Sequence, residues 1–162
     1  MRKKERPCLM HGSVPLLLCL FVGSAPTMAA DNPFCQTLAQ FAQDLHGTEV
    51  REVTLFSEWS AEPTKGCRHD LSDPRSIHFC EWMLGHTSTE FMEVNVGNAL
   101  ACLAGNRWRG MEGSVDFLTG KVRFYEHKLR GAKNVVFEVE YSVRHGHDTD
   151  MLRIAVSPLD AE

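Results

Sequence analysis

The sequence predicts an α+β domain in the order αβααββββ, with N-terminal helices packed on a C-terminal four-stranded antiparallel meander and disulfides stapling the whole. Three observations predict it. Apolar residues recur three and four apart in the first half, and from Gly113 onward they recur every second residue. Four cysteines, Cys35, Cys67, Cys80 and Cys102, follow an export signal.

The export signal is read from the first 29 residues. Arg2, Lys3, Lys4 and Arg6 stand against the single acid Glu5, and an apolar run from Val14 to Val22 follows. Gly23, Ser24 and Pro26 interrupt it, and Thr27-Met28-Ala29 offers small residues at the positions a signal peptidase reads. The apolar run is far shorter than the roughly 20 residues that span a bilayer, so no retained membrane anchor is expected. Cys19 follows Leu16-Leu17-Leu18, not the small residue a lipidated cysteine needs, and no Arg-Arg pair marks a twin-arginine route. Cleavage after Ala29 leaves one globular domain, residues 30–162, in the periplasm or secreted.

Removing four of the 17 basic and one of the 21 acidic residues leaves 13 against 20, a net charge of −7. An anionic domain repels phosphate backbones and anionic head groups, which disfavours nucleic acid and membrane surfaces. The same field attracts a cationic envelope protein, although solubility alone also explains acidity.

Each element has a local reason. Asn32-Pro33 caps and starts the first helix, with Phe34, Leu38, Phe41 and Leu45 on one face and Gly47 as its stop. Val50 to Trp59 is rich in branched residues and reads as a strand. Residues 60–74 read as a loop held by Cys67. Asp73-Pro74 opens a helix to about Leu84, closed by Gly85. Thr87 and Glu90 form a capping box for a helix over 88–104, which Gly105 ends. Val115 and Phe117 then alternate with polar residues, Thr119-Gly120 makes a turn, and Val122 and Phe124 continue the alternation. Val135, Phe137, Val139, Tyr141 and Val143 share one face of a long strand. A polar turn, His145 to Asp150, leads to Leu152, Ile154 and Val156. One apolar face per strand implies a sheet covered by helices on one side.

Four cysteines in an exported chain form two disulfides. A four-cysteine zinc site would need a Cys-x-x-Cys pair, which is missing. If the second and third helices form a hairpin, Cys80 and Cys102 are offset by about 14 Å along its axis, so their pairing is the least favoured. Of the other schemes, Cys35–Cys80 with Cys67–Cys102 is preferred slightly over Cys35–Cys102 with Cys67–Cys80.

Two clusters carry candidate chemistry. His145, His147, Asp148 and Asp150 on one loop offer nitrogen and oxygen ligands to a transition metal, although a solvated hairpin turn holds the same residues. Cys67-Arg68-His69-Asp70 places a thiol beside an imidazole, but an oxidised Cys67 leaves His69 and Asp70 as polar loop residues. Trp59 and Trp108 are candidate interface anchors together with Arg68, His69 and Asp70, and core or rim packing competes for both tryptophans. No Gly-x-Ser-x-Gly elbow, phosphate loop or dinucleotide fingerprint is present. The expectation is therefore a binding protein without catalytic activity or cofactor, of inhibitor or immunity type, acting on a cell-envelope enzyme. Two alternatives are a small-molecule carrier with a sheet-and-helix pocket and a metal-dependent enzyme using His145 and His147.

Overall fold

A computed structural model describes residues 32–59, 61–105, 111–115, 118–144 and 149–160, with 111–115 described through the backbone. The order is α1 (Pro33–Phe41), β1 (Arg51–Glu58), β2 (Thr64–His69), α2 (Pro74–His86), α3 (Met92–Ala104), β3 (Met111–Val115), β4 (Thr119–Phe124), β5 (Val135–Ser142) and β6 (Asp150–Pro158). The strands form one antiparallel sheet in the order β2-β1-β6-β5-β4-β3. α2 and α3 carry the chain across one face of the sheet, from the β2 edge to the β3 edge. β6 closes the sheet by pairing with β1, with Val53 opposite Ile154. α2 packs over β2 and β1, α3 over β6 and β5, and α1 lies against both helices.

The α+β class, the antiparallel sheet and the helical cover are as the periodicity predicts. The C-terminal meander has its four strands, and β1 with β2 extends it to six. The order is therefore αββααββββ, because residues 64–69 are a strand and not part of a loop. Thr64-Lys65-Gly66-Cys67-Arg68-His69 has no apolar alternation; pairing with β1, not side-chain pattern, makes it a strand.

Most helix ends shift. α1 stops at Phe41, because the chain turns through Ala42 to Asp44, and Asp44 takes a positive φ of 59°. Gly85 lies inside α2, which runs to His86. Thr87 caps the end of α2, donating its hydroxyl to the Met83 carbonyl at 2.6 Å, so it cannot start α3. Instead the Ser88 hydroxyl accepts the Phe91 amide at 2.9 Å and α3 begins at Met92. Thr119 and Gly120 belong to β4, where Gly120 leaves room for the Tyr141 ring opposite it.

The core lies between the sheet and the helices. Phe41 stacks on Phe79 with centroids 4.8 Å apart, and Phe34 meets Phe79 and Trp82 edge-on. Val53, Leu55, Phe137, Val139 and Ile154 line the sheet beneath. Cys35 bonds to Cys102 and Cys67 to Cys80, with Cα separations of 5.2 and 5.7 Å. This corrects the preferred pairing; Cys80–Cys102 is indeed not formed. The pairing follows from β2, which as a strand beneath α2 places Cys67 under Cys80. That leaves the first turn of α1 to meet the last turn of α3.

The opposite face of the sheet carries an ion lattice. Arg153 donates to Glu52, Glu138 and Glu140 at 2.6–3.3 Å, and Arg123 donates to Glu138 at 2.8 Å. Half-burial would raise the Glu138 carboxyl, but hydrogen bonds from Arg123, Arg153 and Lys121 outweigh it and hold it down at about 2.

Candidate functional site

The candidate site grows from one buried cation. Arg51, the first residue of β1, is 6% exposed and points toward the helices. It donates to the Phe41 carbonyl at 2.6 Å, the Gln43 carbonyl at 2.9 Å and the Asp73 carboxylate at 2.7 Å. The end of α1 and the start of α2 are thereby tied to one guanidinium. Asp73 is the N-cap of α2, accepting the amides of Arg75 and Ser76, with Pro74 at the first helical position. Burial would raise its carboxyl, but the Ser76 bonds and the Arg51 charge hold it below the ordinary range.

Between β2 and this cap lies a tight turn. The Asp73 amide donates to the Asp70 carbonyl at 3.4 Å, leaving Leu71 and Ser72 as the central residues. The Asp70 carboxylate accepts the Ser72 amide at 2.8 Å and the Ser72 hydroxyl at 2.7 Å, which lowers its proton affinity. Leu71 projects from this turn and is 82% exposed, the most exposed of the large apolar side chains among the described residues. One arm of the turn is β2, fixed by its ladder to β1 and by Cys67–Cys80; the other is α2, fixed by Arg51.

The predicted contact residues divide between the ends of the β1–β2 hairpin. Arg68, His69 and Asp70 lead into the turn. Arg68 lies on the outer face of the sheet, its guanidinium 4.7 Å from the Phe56 ring centroid. His69 faces the helices and is half-buried, and its Nδ1 is buried without a hydrogen-bond partner. Trp59 lies at the far end, about 20 Å away at strand rise. Its indole donates to Asp150 at 3.1 Å, so this ring is fixed at the rim with 39% exposed. Asp150 also accepts the Arg144 amide at 2.6 Å, so both of its oxygens are engaged by N–H donors. Trp108, His145, His147 and Asp148 lie outside the described residues.

Sequence reasoning passed over Leu71 and Arg51. The signal for Leu71 was a single apolar residue between Asp70 and Ser72-Asp73-Pro74, a run of turn formers. Arg51 gave none, because an arginine opening a strand reads as solvated.

Two cavities accompany this arrangement. One of about 570 Å³ lies beside the α1 turn, lined by Asp44, His46, Lys133 and Asp160 among others. The other, about 300 Å³, opens on the outer face beside Arg123, Glu138 and Arg153. Among the described residues no helix is long and apolar enough to cross a membrane. Two disulfides are consistent with an extracellular or periplasmic protein. No family model matches the chain, and neither does any curated protein or solved structure.

Proposed function

We propose that this chain is an exported binding protein without catalytic activity, an inhibitor or immunity-type protein that occludes a cationic cell-envelope enzyme. In this reading the Asp70–Asp73 turn enters the partner's cleft and Leu71 is its apolar anchor. The observation that carries the reading is an exposed leucine on a turn braced from both sides. A preorganised turn loses little conformational entropy on docking, so more of its contact energy appears as affinity. The net charge of −7 after signal removal favours encounter with a basic partner.

The carrier alternative asks for an apolar chamber between sheet and helices. The two cavities described above have charged walls and lie elsewhere, so they lend it no support. The metal-enzyme alternative rests on His145 and His147, which lie outside the described residues.

The test uses residues 30–162 titrated against a purified cationic muramidase at low ionic strength, with cell-wall hydrolysis as the readout. Stoichiometric inhibition is expected, weakening as salt screens the charges. Leu71→Asp is expected to weaken inhibition at least tenfold, about 1.4 kcal/mol. Full hydrolysis at equimolar protein, or equal inhibition by the Leu71 variant, overturns the reading.

A further inference from the structure

The Cys67–Cys80 bridge has an imidazole beside it. Cys67 and His69 are two apart on β2, so both side chains face α2, where Cys80 waits. A ring nitrogen of His69 and the two sulfurs all lie within 4.8 Å of one another. The second observation is independent of that spacing: Nδ1 of His69 is buried with no hydrogen-bond partner. A buried polar atom of this kind is destabilising unless something else engages it.

We propose that, once its bridge is opened, Cys67, Cys80 and His69 form a three-coordinate site for a soft monovalent ion, Cu(I). This inference stands independently of the inhibitor reading. The opening step takes two electrons and two protons from a dithiol, which becomes a disulfide while Cys67 and Cys80 become thiols. Cu(I) then displaces both thiol protons and binds two thiolates and one neutral imidazole nitrogen. Metal–ligand distances of roughly 2.0–2.3 Å place three donors about 4 Å apart, within the present spread. Two thiolates and one imidazole suit Cu(I), which is satisfied by three soft ligands; zinc prefers four. The other bridge is not an equivalent candidate. Cys35 and Cys102 are 5% and 1% exposed; Cys80 is as buried at 1%, but its partner Cys67 is only half-buried, so one end of this bridge lies nearer solvent. A bound ion would still join β2 to α2, replacing one clasp by another.

The experiment passes residues 30–162 over an immobilised dithiol under argon, then adds Cu(I) as its bis-bicinchoninate complex. Alkylation with mass mapping is expected to show Cys67 and Cys80 opened and Cys35–Cys102 intact. The reduced protein is expected to remove one Cu(I) per chain, and the oxidised protein none. X-ray absorption is expected to show two sulfurs and one imidazole nitrogen around copper. His69→Ala is expected to lower affinity at least tenfold while the circular dichroism spectrum is kept. If that variant unfolds, the absorption spectrum of the wild-type complex decides. The proposal is overturned by no copper transfer, by a sulfur-only ligand set, or by opening of Cys35–Cys102 instead.

Discussion

Arg51 shows how much of this fold hangs on one charge. A guanidinium 6% exposed would be costly alone, but it meets two carbonyls and the carboxylates of Asp73 and Glu49. Replacing it by methionine keeps most of the volume and removes every donor. The carbonyls of Phe41 and Gln43 and the α2 cap then lose their partner, and urea denaturation should show a loss of about 3–5 kcal/mol. The Asp70–Asp73 turn should loosen too, seen as faster exchange of the Asp73 amide. Asn95 is a companion case. It is fully buried in α3, and its side chain holds Ser88 by accepting the amide at 2.9 Å and donating to the carbonyl at 2.8 Å. Asn95 interrupts an otherwise apolar stretch of the sequence, and the backbone of Ser88 is what engages it.

At the scale of elements, what was legible is what repeats. α1 starts where Asn32-Pro33 says it does, the Asn32 side chain accepting the Phe34 amide at 2.9 Å. β5 alternates buried and half-buried along its whole length, as its apolar residues do. What was hidden lacks a period. β2 is an edge strand whose outer face is Thr64, Gly66 and Arg68, so no burial constrains its side chains to alternate. Missing it also misplaced Cys67, and hence the disulfides and the braced turn. Thr87 and Glu90 misled for a different reason. A hydroxyl caps a helix start or a helix end equally well, and here the preceding helix claims it. α3 is therefore left without a side-chain cap at Phe91, which is 54% exposed. Phe91→Asp supplies both a capping acceptor and a negative charge at the helix start. Thermal melts should show stabilisation of about 1 kcal/mol, and a variant less stable than the parent would contradict the cap assignment.

For the molecule as a whole, acid acts on one buried imidazole and on the carboxylates paired with arginine. His127 packs edge-on against Phe137 at 5.0 Å, and burial lowers its proton affinity below 6.5 against the opposing pull of its bond to Val135. A depressed folded-state value means the unfolded chain binds the proton first. The contribution of His127 is therefore complete above pH ~6.5 and declines as pH falls through the lowered folded value, with a slope up to about 1.4 kcal/mol per pH unit. Glu138 obeys the same sign lower down. Its carboxyl sits at about 2 in the fold against an ordinary value near 4.5, so its contribution is present above pH ~4.5 and disappears toward pH ~2. Solvent screening on a half-exposed face limits that contribution to roughly 1–2 kcal/mol. Stability measured by urea across pH 2–8 should fall in two steps. His127→Gln, which keeps a donor for Val135 without a charge change, should remove the upper step alone. Glu138→Gln should be less stable than the parent at pH 7 and show a smaller lower step, because Arg123 and Arg153 lose their shared carboxylate there while Glu52 and Asp73, also held below their ordinary range, keep the remainder. The two sites lie on opposite faces of β5, Glu138 outward among the charges and the His127 ring against inward Phe137, so the double variant should lose the upper step and the Glu138 share of the lower one additively. A single shared transition removed by either substitution would mean that the ion lattice and the buried imidazole are coupled through the strand between them.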